Sequence, residues 1–310
     1  MATAKKLPSG RYRVRLFTHV DSAGKKHYKS FTAATKKEAE LMALNYKIDS
    51  SESNVTIWQA VENYCTLKSA VLSPTTIKGY LANRNIMAPI ADIRLSSLTQ
   101  QQLQRYINDI SQTHAPKTVM NVNALISAIL KSNGLDTFDI TLPQRQSIAY
   151  SVLSKKQLKK ILEYTKENDF EMYLAISLGS MCMMRRSEIC GLMAGDISGN
   201  IAHTRVSLVQ DRNNTYVTKK PKTVESDRYI QVPDKLLRDL PKSGRIVNLN
   251  PNQITHRYRK YLNKLGIPPS RFHDLRHFGA STLHALGIPD QYVMKQGGWK
   301  SDKVLKAVYR

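Results

Sequence analysis

In its second half the sequence carries, in order, Met184-Arg185-Arg186-Ser187-Glu188-Ile189, then His273-Asp274-Leu275-Arg276-His277, then Gly297-Gly298-Trp299, and finally Tyr309 one residue before the end. A phenol, two guanidiniums, imidazoles and an indole N–H are the parts needed to attack a phosphodiester without a metal. A planar guanidinium presents its donors in a fork that matches phosphate oxygens, so two of them can hold a pentacoordinate phosphorus and offset its charge. The His-x-x-Arg spacing puts His273 and Arg276 on one face, one turn apart. Each run is a weak signal alone; their order in a basic chain is the strong one.

The 310 residues hold 47 Lys and Arg against 24 Asp and Glu, a net charge of +23. Residues 1–50 account for +7, 51–150 for only +2, and 151–310 for +14, so both end segments read as polyanion binders, most simply of nucleic acid. The middle segment contacts DNA only through local patches, for which Lys78, Arg84 and Lys117 are candidates. Cys65, Cys182 and Cys190 show no CxxC spacing, which argues for a reducing cytosol and against disulfides or a zinc site. No apolar run approaches a membrane span and the N-terminus has no signal-type apolar region, so a soluble, cytoplasmic protein with no membrane partner is expected. There is no P-loop, no Cys/His ligand set and no carboxylate cluster of the kind a Mg²⁺-dependent nuclease needs; neither metal nor other cofactor is implied.

The elements that position these groups can be read coarsely. In residues 10–17, Tyr12, Val14 and Leu16 share one strand face and Arg11, Arg13 and Arg15 the other. Asp21-Ser22-Ala23-Gly24 is turn chemistry before a further strand, and Thr35-Lys36-Lys37-Glu38 is a capping box opening a helix with Ala39, Met42, Ala43 and Tyr46 on one stripe. The outward arginines suit a DNA major groove. Asp49–Asn54 reads as a structureless linker. Four helices follow over 55–133, the first with Trp58, Val61, Tyr64 and Cys65 inward, the last with Val119, Val122, Ile126 and Ile129 inward. Gly134 to Ala149 reads as a second linker. From Leu153 the pattern is mixed: a helix opened by Ser154, a buried helix over Phe170–Leu178, two or three short strands between Asn200 and Pro233, and helices over 252–265, 273–286 and 289–296. Gly266, Gly287 and Gly297 stand where helix C-caps belong, and Ser301-Asp302 caps a last short helix carrying Tyr309. The expected fold class is α+β and mostly helical.

These runs, together with Pro221-Lys222-Thr223 ahead of Ser226-Asp227-Arg228-Tyr229-Ile230-Gln231-Val232-Pro233, resemble the tyrosine recombinases, more narrowly the phage- and conjugative-transposon-type integrases. The resemblance spans essentially the whole chain. It implies an arm-type DNA-binding domain at 1–50 (a three-stranded sheet plus a helix), a helical core-binding domain at 54–135 and a mixed α/β catalytic domain at 150–310. Tyr309 is then the nucleophile that forms a 3′-phosphotyrosyl link, and Arg185 and Arg276 clamp the scissile phosphate. Lys222 is the general acid, with Lys219 and Lys220 as alternatives. His273 trades protons with the nucleophile, and Trp299 donates its N–H to a phosphate oxygen. Glu188 orients Arg185, and His277 supports the site.

The partners implied are double-stranded DNA at core and arm sites, a homotetramer on that DNA, and an excision factor or DNA-bending accessory protein. Two departures stand out. Met183 occupies a position that is usually glycine, and the chain ends at Arg310, where relatives continue into a tail, which points to truncation or to a different coupling of subunits. The rivals are a type IB topoisomerase, which lacks the arm-like domain, and a catalytically idle DNA-binding regulator with the same fold.

Overall fold

In the computed structural model, which describes residues 4–20, 26–52, 55–145, 153–220 and 226–301, strand alternation places Val14 in the core and leaves Arg11, Arg13 and Arg15 exposed. Strands β1 (Lys5–Lys6), β2 (Tyr12–Val20) and β3 (Lys26–Ala33) form an antiparallel sheet in that order. Helix α1 (Lys36–Glu52) packs on it, opened by the reciprocal Thr35–Glu38 capping box, and Val14, Ala39 and Ala43 make the shared core. Met42, expected inward, is half exposed, and Tyr46 alone continues the stripe by tilting its ring against Phe31. The expected linker at Asp49–Asn54 is shorter than read. Lys36–Glu52 contains neither Gly nor Pro, so nothing stops the helix before Glu52.

Four helices follow: α2 (Ile57–Leu67), α3 (Pro74–Ile86), α4 (Gln100–Ser111) and α5 (Pro116–Ser132). Thr56 and Thr99 cap their helices through reciprocal bonds with Gln59 and Gln102, and Val119, Val122, Ile126 and Ile129 are buried as the spacing predicts. Trp58 is the exception in α2. It lies at the surface beneath the Arg84 guanidinium, 4.0 Å from the ring centre, and Ala60 takes its place inside. Gly134 onward is irregular, as expected, but through residue 145 it is no free tether. Leu135, Phe138, Ile140 and Leu142 pack on the helical core, and the Gln104 amide bonds the backbone of Thr141 in both directions. Residues 146–150 lie outside the described ones.

The chain divides into two compact units, Met1–Gln146 and Ser147–Arg310. In the second, α6 (Lys155–Asn168) and α7 (Phe170–Met181) open the core; every residue from Met172 to Ser180 is buried, so α7 is the hydrophobic axis. Short helix α8 (Arg186–Ile189) leads to a run of short strands, four of them among the described residues between Asn200 and Pro233, where two or three were expected. Strand β5 (Ile201–Thr204) lies between β4 (Ile197–Ser198) and β8 (Arg228–Gln231) and pairs with both, while β6 (Ser207–Gln210) and β7 (Tyr216–Lys219) form a separate hairpin. The strands are too short for alternation to register in sequence. Then come α9 (Asp234–Leu237), α10 (Pro251–Lys264), α11 (Asp274–Ala285) and α12 (Asp290–Gly297). The fold is α+β and mostly helical. No helix among the described residues is long and apolar enough to cross a membrane.

Candidate active site

Helix α11 lies against α7 at Gly279, where a Cβ would overlap the Ser180 carbonyl and come 2.7 Å from Met183 Cγ. That close approach brings the loop after α7, which carries Met183 and Arg185, beside the buried face of α11, which carries Arg276. Arg276 is 1% exposed. Its Nη1 donates to the Met183 carbonyl and its Nη2 to the Gly297 carbonyl at 2.7 Å, and its Nε is buried with no partner among the described residues. Arg185 Nη2 donates to the next carbonyl along, that of Gly298, at 2.9 Å. Two guanidiniums thus sit on consecutive carbonyls of one dipeptide.

The Gly297-Gly298 pair explains itself locally. Gly298 ends α12 in the left-handed conformation (φ 67°), its N–H bonding to Lys295 O at 3.3 Å while the Trp299 N–H reaches Met294 O at 3.0 Å. These two bonds make a Schellman motif, so the expected C-cap is Gly298, one residue later than read. Gly297 is there for closeness: a Cβ would overlap the Trp299 ring, which folds back over it. That ring is half-buried and receives the Arg276 guanidinium on its face, 4.7 Å from the ring centre. Gly266 and Gly287 are left-handed caps as expected.

Met183 is buried at φ 52°, a backbone conformation costly for a residue with a side chain. The turn aims its carbonyl at Arg276 and buries its thioether among Ala280, Val293 and Trp299. Removing that side chain costs about 2–5 kcal/mol, and glycine recovers about 1 kcal/mol of backbone strain that alanine keeps. Met183→Gly is therefore expected to unfold at lower denaturant than the parent but at higher denaturant than Met183→Ala. The reverse order would show that the left-handed turn is unstrained.

Glu188 holds the other arginines. Its carboxylate, 4% exposed, accepts from Arg185 Nη1 at 2.6 Å and from the Arg185 backbone N–H at 2.8 Å. It also takes a bidentate pair from Arg228 Nη1 and Nη2 at 3.1 and 3.0 Å. Burial alone raises the Glu188 pKa, but the hydrogen bonds and charges of Arg228 and Arg185 outweigh it and hold the carboxyl below its ordinary value. Arg228, on β8, also reaches the Gln296 carbonyl at 2.9 Å, so it ties the sheet to the end of α12. In the sequence Arg228 stands inside a motif with no role visible from type or spacing; only its facing a buried acid reveals one.

Burial first, and then the charge of Arg185, pull Arg276 down to about 9, which leaves it protonated near neutrality. His273 stands exposed just before α11, its ring 5.5 Å from that of buried His277. Desolvation first, and then the charges of Arg276 and Arg185 together with repulsion from any proton on His277, push the His273 pKa down to about 4. Burial lowers His277 as well. Both rings are thus neutral in the folded chain at pH values where the unfolded chain, with ordinary imidazoles near 6.5, takes up protons. Stability is expected to fall as pH drops from 6.5 towards 4, and the double variant His273→Gln, His277→Gln should flatten that slope in denaturant titrations. A slope of equal size in the variant would assign it to other groups.

The structure brings Arg185, His273, Arg276 and Trp299 into one neighbourhood. Tyr309, Lys222 and the expected helix from Ser301-Asp302 lie outside the described residues; Lys219 ends β7 half-buried, and Lys220 is exposed just beyond it. Arg11, Arg13 and Arg15 line the outer sheet face, where the Arg15 guanidinium lies 4.8 Å from the centre of the Tyr28 ring. In the helical bundle Lys117 is exposed, Lys78 is half-buried, and Arg84 is committed to Glu62 and Trp58.

A model of the phage integrase family matches residues 151–310. A curated tyrosine recombinase XerC-like protein from Caldanaerobacter subterraneus subsp. tengcongensis is 22% identical, covering 96% of this chain and 91% of that protein. The Tn1549 transposon integrase in complex with transposon right end DNA matches at a TM-score of 0.67 and 16% identity, over 83% of this chain and 95% of that one. A lambda integrase dimer bound to a COC′ core site matches at 0.64 and 16%, over 99% and 94%. The two structural likenesses show a shared fold.

Proposed function

The chain belongs to the phage integrase family, the tyrosine recombinases, and on that footing we propose that it integrates or excises a mobile element by cleaving and rejoining DNA through a phosphotyrosine at Tyr309. The observation that carries this reading is the pair of guanidiniums, Arg185 and Arg276, bound to the consecutive carbonyls of Gly298 and Gly297. Between them they offer a fixed set of donors to one phosphate, organised before substrate arrives.

The Tyr309 oxygen attacks phosphorus as its proton passes to neutral His273, whose depressed pKa keeps the ring an acceptor near neutral pH. The bond from phosphorus to the 5′-oxygen breaks, and Lys222 supplies that oxygen with a proton. Arg185, Arg276 and the Trp299 N–H hold the non-bridging oxygens. A phenolate leaves readily enough for a second 5′-hydroxyl to reverse the step on a new strand, so no external energy source is consumed.

In this reading residues 1–50 bind arm sites through Arg11, Arg13 and Arg15. Residues 54–135 embrace the core site with Lys78, Arg84 and Lys117, and four copies act on two duplexes, aided by an excision or bending factor. The test is DNA carrying the element's junction with a nick beside the crossover phosphate. A covalent adduct should accumulate, and peptide mapping should place the DNA on Tyr309. A DNA link on any other residue sinks the nucleophile, and tight binding without any adduct supports the regulator instead.

A further inference from the structure

A cavity of about 420 Å³ opens beside the clamp, between α8, α10 and the turn before α11. Arg185, Arg186, Thr255, Arg259, Arg271 and His273 line it, over a floor of Tyr258 and Phe272 whose rings meet edge to face 5.4 Å apart. No carboxylate belongs to the lining. Two of its arginines already hold a carboxylate, Arg185 that of Glu188, which it shares with Arg228, and Arg271 that of buried Asp274 at 2.7 Å. The other two do not: Arg186 bonds the uncharged Thr255 hydroxyl, and Arg259, exposed one turn further along α10, has no hydrogen bond or ion pair among the described residues. Uncompensated guanidiniums facing one concavity repel each other until an anion enters, and their fork geometry suits phosphate.

We propose that this cavity is a second anion subsite that takes the DNA phosphate next to the scissile one on the same strand, gripped by Arg186 and Arg259. The proposal rests on the reading of Arg185 and Arg276 as the scissile clamp. Arg185 and His273 border both places, so a group in the cavity is an immediate neighbour of the group on the clamp. The volume admits a phosphate with part of its sugar. Holding two successive phosphates removes the rotation that a single anchored phosphate keeps, and so fixes the line of attack on phosphorus.

The experiment is a methylphosphonate scan of a duplex selected by this protein from a random library, with binding measured for the wild type, Arg259→Ala and Arg276→Ala. Arg259 is exposed and makes no described bond, so its loss leaves the fold intact. Arg259→Ala should bind the unmodified duplex roughly tenfold more weakly, with the salt slope reduced by about one. The phosphate whose neutralisation no longer matters in Arg276→Ala marks the clamp. Neutralising its immediate neighbour should weaken the wild type by a similar factor and leave Arg259→Ala nearly unchanged. Losses that multiply at that neighbour, or coupling of Arg259 to a more distant phosphate, overturn the subsite. Because the readout is binding, a chain that never forms an adduct would refute the proposed strand transfer and leave this result standing.

Discussion

Arg276→Lys is expected to slow adduct formation by about 10²- to 10³-fold, the usual cost of removing one preorganised donor from a developing oxyanion. Binding of the same DNA should weaken only a few-fold, because the positive charge remains. The structure makes the substitution severe. Arg276 spans two carbonyls from separate segments, Met183 O and Gly297 O, which fixes its plane against the Trp299 ring. Two of its five N–H groups are spent on those carbonyls. A lysine has one nitrogen on a flexible stem; it can bond one carbonyl or meet the phosphate, and it cannot stack as a plane. Its burial is a second penalty, since a fully enclosed ammonium loses hydration that a guanidinium gives up more easily. Single-turnover cleavage on nicked DNA measures the effect. A rate within a few-fold of wild type would show that the two bridged carbonyls organise the fold without organising the chemistry.

How far the sequence foretold this site depends on what each residue answers to. Arg185, His273, Arg276 and Trp299 were legible because residue type and order carry their chemistry. Their supports were not. Arg228 matters because it faces Glu188, 40 residues earlier, an encounter set by the tertiary fold and by no local pattern. Met183 reads as a departure from glycine, yet its carbonyl is the anchor for Arg276 and its side chain the packing behind Trp299. Gly279 matters only through α7, which no local pattern reveals. In the fold, the caps at Thr35 and Ser154 marked helix starts correctly, because both partners of each box lie within one turn. Periodicity misplaced Trp58, since an aromatic under an arginine satisfies its face at the surface. The short strands between Asn200 and Pro233 were undercounted for want of length.

The second large effect falls on stability and activity together. Glu188→Ala is expected to cost about 3–5 kcal/mol of unfolding free energy, the range for breaking a buried ion pair from one side. The Arg228 side chain is 5% exposed, so its charge would remain buried beside Arg185 with nothing opposing it. The double variant Glu188→Leu, Arg228→Leu removes both charges with their desolvation costs, and much of the stability should return. Cleavage should not return with it. Arg185 would have lost the acceptors at 2.6 and 2.8 Å that set its side chain and its backbone, and would keep only the Gly298 carbonyl and a long contact to Ser226. Acid should act on the same pair: Glu188 titrates below its ordinary 4.5, so its contribution is complete above that value and is lost as pH falls through the depressed one. That window opens only at 4.5, near the lower end of the histidine window between about 4 and 6.5, so in an acid titration the histidine loss comes first. Denaturant unfolding across pH, set beside single-turnover cleavage, tests the whole account. A double variant that regained stability and cleavage alike would mean that Arg185 needs no brace, and that the buried pair serves packing alone.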